Sequence, residues 1–91
     1  MENIEITQKD KLHIAEFVFA VECDTLIKTE LTRCMMAFYN SKIITERERD
    51  VVSAYVSVNY AKALDLMGDY LLRISAEQGD LIMKEYYAGK L

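Results

Sequence analysis

Apolar residues recur along this chain at three- and four-residue steps, the period of an α-helix with a buried face. From Gln8 to Tyr39 the steps pass through Phe17, Ala20, Ile27, Leu31, Cys34 and Phe38. Leu12, Ala15, Phe19, Leu26 and Met35 lay a second stripe beside the first. Between Ile14 and Val21 only Glu16 is polar, so this part of the helix is expected to be covered on more than one side. A second periodic run has Val52, Val56, Tyr60, Ala63, Met67, Leu71 and Ile74 as its main stripe and Val51, Tyr55, Val58, Leu66 and Tyr70 as an added face. These patterns predict helices over 8–39 and 46–77, each about 32 residues and roughly 48 Å long at 1.5 Å per residue.

Short polar motifs punctuate the pattern. Thr45 and Glu48 form a capping box: the Thr hydroxyl accepts from the Glu48 N–H, and the Glu48 carboxylate accepts from the Thr45 N–H. Thr7 with Asp10 reads as a shorter version of the same device, which leaves residues 1–7 as an arm. Asn40-Ser41-Lys42 is the expected turn, with Asn40 in the left-handed conformation and Ile43 and Ile44 tucked under the bend. Gly79 is the expected stop of the second helix, and Asp80 the cap of a short third helix over 80–88 closed by Gly89.

Equal lengths and a short connection predict antiparallel neighbours. The expected fold is all-α: one domain, a long antiparallel helical hairpin plus a short C-terminal helix. Asp24-Thr25 is the one weak point, and a break there gives four helices. Symmetric folding about the turn sets Phe17 opposite Gly68, which would make room for the ring. Two packed helices hide only the stripes facing each other. The surplus apolar faces therefore predict a homodimer or higher oligomer, a four-helix-type bundle, with Phe17, Phe19, Val51, Tyr55, Val58 and Tyr70 at the interface.

Composition narrows the partners. The 91 residues include no proline and only three glycines, which favours few long elements. A net charge of −4 argues against duplex nucleic acid, whose phosphates need a basic face. The acidic start Met1-Glu2-Asn3-Ile4-Glu5 does not read as a signal peptide, and no apolar run is long enough for a bilayer. A cytoplasmic protein without a membrane role is the expectation. Cys23 and Cys34, on one helix, would lie roughly 16 Å apart and stay reduced.

Candidate chemistry is sparse. Asp24 interrupts an apolar stripe, either as a register-setting core carboxylate paired with Lys28 or Lys62 or as a reader of a ligand amine. Asn59 invites the same two readings. Arg47, Arg49 and Arg73 are candidate phosphate contacts, and Tyr55, Tyr60 and Tyr70 candidate stacking rings. His13 and Glu16 lie one turn apart, with Asp69 opposite in the hairpin, but a single His is too few for a metal centre. No nucleophile constellation or phosphate loop is present in the sequence. No enzyme activity, cofactor or metal is expected.

The words from Ile44 through Val52 resemble the opening of the LuxR-type helix-turn-helix domain. The glycine-containing turn and second basic helix of that family do not follow, so no DNA-binding role is carried over. In being small, acidic and helical the chain is also similar to type III secretion chaperones. The expected function is a non-enzymatic interaction module, regulatory, inhibitory or chaperone-like, that binds an unidentified protein partner. The alternative is a small-molecule or nucleotide binder with its pocket between subunits.

Overall fold

The start of the second periodic run forms as its caps dictate. In the computed structural model, which describes residues 4–91, the Thr45–Glu48 box is complete: Thr45 N donates to Glu48 Oε1 at 2.9 Å and Glu48 N to Thr45 Oγ1 at 3.2 Å. Thr7 likewise accepts from Asp10 N, and its hydroxyl donates to Asp10 Oδ2 at 2.8 Å, which lets that carboxylate be buried. The described residues form α1 (Gln8–Glu22), α2 (Lys28–Asn40), α3 (Glu46–Val58), α4 (Tyr60–Leu71) and α5 (Ala76–Tyr87).

The all-helical class is as expected, but neither long helix exists. The first is broken at Asp24, which adopts φ 53°. Thr25 N donates to Ala20 O at 2.9 Å and Asp24 N to Val21 O at 3.2 Å, the paired bonds of a Schellman motif. The same pair closes α2, where Ile43 N reaches Phe38 O and Lys42 N reaches Tyr39 O. There Lys42, not Asn40, is left-handed, at φ 62°. A third copy ends α5 at Gly89, as expected for that glycine. Only this last motif carries the glycine that usually marks it, so the first break had no glycine to announce it.

The second long helix is broken by a single residue. Asn59 ends α3 through its N–H to Tyr55 O and starts α4 through its side chain, which accepts from Lys62 N at 3.2 Å. It is exposed and serves as a joint, not as a core polar residue. Gly79 does not stop a helix either. The chain leaves α4 at Leu72, and Ser75 caps α5 by accepting from Gln78 N, so Gly79 lies inside α5. Asp80 is likewise interior to α5 rather than its cap.

Five short helices cover much of the apolar surface that two long ones would leave open, although Phe19, Val51 and Val58 stay exposed. α1 is packed against α2 on one side and α5 on the other, which explains its nearly continuous apolar circumference. α2 also meets α3 and α4, giving a slab of 36 × 32 × 19 Å. One cluster runs through it: Ile14, Phe17, Leu31, Phe38, Ile43, Ile44, Val52, Met67 and Ile82 are all buried. Ile43 and Ile44 sit under the bend as predicted, and Ile4 and Ile6 of the arm pack against the same core. The radius of gyration, 12.3 Å, matches the roughly 12 Å of a compact domain this long. The accessible surface, 5766 Å², is close to the about 5,400 Å² expected of a folded monomer of this mass.

The core therefore closes within one chain. The premise of obligatory self-association, two uncovered helices of roughly 48 Å, is not met. Gly68 does not face an aromatic ring: beyond its own chain neighbours and helix backbone, nothing lies within 4 Å of where its Cβ would be. Phe17 instead packs edge-on against Phe38, with centroids 5.4 Å apart. Among the described residues no helix is long and apolar enough to cross a membrane.

Candidate functional site

Two surface features stand out: an aromatic seam between α1 and α5, and a cleft at the α2–α3 bend. The seam begins with Phe19, which α1 turns away from its buried face. Tyr86 lies 5.9 Å from it and Tyr87 6.4 Å, centroid to centroid, and the two tyrosines are 5.7 Å apart. Phe19 is 39% exposed and Tyr87 64%. The start of α1 is tied to the end of α5 beside the seam. Lys11 pairs with Glu85 at 3.5 Å, and Gln8 donates to the Lys90 carbonyl. Ile82, fully buried, anchors α5 beneath it.

The cleft has a volume of about 660 Å³ and is lined by Tyr39, Lys42, Ile43, Thr45, Glu48 and Arg73, with Asn40, Ile44 and Glu46 completing its wall. Its charges are already engaged. Arg73 donates to both Glu48 oxygens, at 2.8 and 2.6 Å, and to the Ile43 carbonyl at 2.8 Å. That guanidinium, with the Thr45 N–H, holds the Glu48 carboxyl down at about 2. Arg73 also lies 4.6 Å over the Tyr70 ring. Lys42 reaches Glu5 of the arm at 3.8 Å. The bidentate pair ties the segment after α4 to the start of α3, and so folds α3 and α4 back on one another.

The structure separates the residues singled out from sequence. Phe17 belongs to the core and is unavailable to a subunit interface. Tyr70 is half-buried under Arg73, and its hydroxyl pKa is pushed up chiefly by burial. Tyr55 is half-buried and packs against the core, whereas Val51 and Val58 are exposed on the outer side of α3. Tyr60 is half-buried, and its hydroxyl donates to the Leu26 carbonyl at 2.9 Å, which fastens α4 to the α1–α2 connection.

The remaining candidates scatter. Asp24 is an exposed loop residue, so it neither sets register in a core nor pairs with Lys28 or Lys62. Arg49 lies 4.5 Å over the Tyr39 ring and pairs with Asp50 at 3.1 Å. Arg47 is exposed and has no ion-pair partner among the described residues. His13 Nδ1 and Glu16 Oε1 approach to 3.5 Å. Among the described residues no three His, Cys, Asp or Glu side chains gather as a metal ion requires.

Cys23 and Cys34 lie on separate segments, the first exposed and the second buried. The Cys34 thiol donates to the His13 carbonyl, and burial pushes its pKa up to about 12. Sequence reasoning passed over Tyr39 and Lys42 as cleft residues and Ser75 as a cap. The Ser75-to-Gln78 spacing was a legible capping signal. The assembly of the cleft was not legible, because Arg73 and Glu48 are 25 positions apart. Compared with known proteins, the chain matches no family model, no curated protein and no solved structure.

Proposed function

We propose that this protein is a small non-enzymatic interaction module, regulatory, inhibitory or chaperone-like, that binds another protein through the seam of Phe19, Tyr86 and Tyr87. The observation that carries this reading is the mutual packing of three rings, tilted or edge-on to one another, at a surface where Phe19 and Tyr87 remain open to solvent. Aromatic side chains bring large apolar area at low entropic cost and are enriched among the anchors of protein interfaces. The rings are pre-ordered by one another and by the buried Ile82, which reduces the ordering cost of docking.

The test is affinity capture with the wild-type chain and the Tyr87→Asp variant. Tyr87 is exposed enough for that change to leave the fold intact. A partner held by the wild type and lost by the variant supports the seam. A partner recovered equally by both, or none together with a bound metabolite in native mass spectrometry, counts against it.

A second reading is favoured by the cleft. Its volume falls in the roughly 300–1,000 Å³ range of small-molecule sites. It lies within one chain, at the α2–α3 bend, rather than between subunits. A nucleotide screen read by thermal shift tests this, since a bound ligand raises the melting temperature in a saturable way. Because Arg73 is committed to Glu48, phosphate would have to displace a formed ion pair, and this ranks the cleft second.

A further inference from the structure

We propose that the cavity between the start of α1 and the end of α2 binds the phosphomonoester group of a small molecule, held by Lys9, His13 and Arg33. This site is separate from the seam and from the α2–α3 cleft, and it depends on neither. The cavity has a volume of about 240 Å³. α1 presents Lys9 and His13 to it, four residues apart and so on one face of the helix. α2, packed against α1, presents Arg33, with Ala37 and Asn40 further along the same face.

Charge picks out the class of ligand. In a chain of net charge −4, basic side chains from two helices meet at this one cavity. Neither Lys9 nor Arg33 has an ion-pair partner among the described residues. The α2–α3 cleft differs on this point, since its Arg73 is committed to Glu48 and its Lys42 to Glu5. His13 Nδ1 faces Glu16 Oε1 at 3.5 Å, which leaves Nε2 for a ligand. Asp10 is the one acid in the wall. It is buried, and the Thr7 hydroxyl donates to its Oδ2 at 2.8 Å. Lys9 and Arg33 outnumber it, so the wall favours an anion.

The donors and the volume narrow the anion further. A phosphomonoester carries about two negative charges near neutral pH and three acceptor oxygens, more of both than a carboxylate. The planar fork of Arg33 can take two of those oxygens, and Lys9 and His13 the third. The Asn40 amide adds a neutral donor at the rim. Met36 and Ala37 supply an apolar side for the carbon skeleton that carries the phosphate. The volume lies below the roughly 300–1,000 Å³ of sites for drug-sized ligands, which favours a compact ester over a nucleotide.

An amide-shift titration by NMR, on the full chain with glycerol phosphate at low salt, tests the proposal. Saturable shifts centre on Lys9, His13, Arg33 and Ala37, with millimolar affinity because Lys9 and Arg33 are exposed and screened by solvent. Glycerol alone gives no shifts there. Arg33→Ala and Lys9→Ala each weaken binding about tenfold with an unchanged circular dichroism spectrum. Arg47→Ala removes an exposed cation elsewhere and leaves binding as it was. Tyr87→Asp does the same, which keeps this result separate from the fate of the seam. A phosphoserine peptide probes the other source of the same chemistry. If it binds tenfold more tightly than glycerol phosphate, and loses that affinity with Arg33→Ala, the small-molecule assignment is overturned. The site itself is overturned by an absence of saturable shifts, or by shifts centred on Tyr39, Thr45 and Arg73. Binding indifferent to Arg33→Ala, or weakened equally by Arg47→Ala, overturns it as well.

Discussion

Arg73 grips Glu48 with two charge-assisted hydrogen bonds of 2.8 and 2.6 Å, and the same carboxylate closes the capping box of α3 through the Thr45 N–H. One side chain thus both starts a helix and fastens the end of the α3–α4 hairpin to its beginning. Such bidentate pairs are stronger than single contacts, although partial exposure at the surface limits their worth.

The pair makes stability depend on acid. The folded pKa of Glu48, about 2, lies below the ordinary 4.5. Its contribution is therefore fully present above pH 4.5 and is lost as the pH falls through about 2. Glu48→Gln keeps an amide oxygen for the cap but removes the charge, so it isolates the pair with Arg73. Urea melts at neutral pH should show a loss of about 1 kcal/mol for this variant. The gap to wild type should close as both are taken toward pH 2.

The two thiols should differ sharply in reactivity. Cys23 is exposed, whereas Cys34 is buried with its pKa pushed up to about 12. At pH 8 a disulfide reagent should modify Cys23 quickly and leave Cys34 untouched until denaturant is added. Prompt modification of both in the native protein would show that the α1–α2 packing opens on the time scale of labelling.

Phe38 is fully buried, packs edge-on against Phe17 and lies where α2 turns into the bend. Phe38→Ala should cost about 3–5 kcal/mol, a large part of the stability of so small a domain. Leu72→Ala, at an 82% exposed position, should stay within about 0.5 kcal/mol. Denaturant midpoints for the two variants check the contrast. Equal effects would mean that the core does not run through Phe38.

Glycine placement offers two stabilising changes of opposite kind. Lys42 is left-handed at φ 62°, a conformation costing roughly 1–2 kcal/mol for a residue with a side chain. Lys42→Gly should raise the melting temperature, because the Glu5 pair it removes is long and exposed. Gly68 lies inside α4 with open space where a Cβ would stand. Gly68→Ala should add about 0.5–1 kcal/mol. A falling melting temperature for Gly68→Ala would restore the expectation that this glycine makes room for a ring.

Helical class, the Thr7 and Thr45 starts, the bend near Ser41 and the burial of Ile43 and Ile44 were all legible in the chain, because each depends on neighbours within a turn or two. The double-sided burial of α1 was legible for the same reason: its apolar circumference is a local pattern. Of the candidate site, the sequence picked out Phe19 but not the Phe19–Tyr86–Tyr87 grouping, which needs α5 folded onto α1. The breaks at Asp24 and Asn59 were decided in three dimensions. Leaving the helix is tolerated there because Asp24 is of a type that visits the left-handed conformation and the Asn59 side chain caps the helix that follows. The gain comes from burying both faces of α1 and folding α3 against α4, through side chains such as Phe17, Leu31 and Met67. Local periodicity could therefore specify that these segments are helical. Only the competition to cover their surplus apolar faces could specify where the helices end.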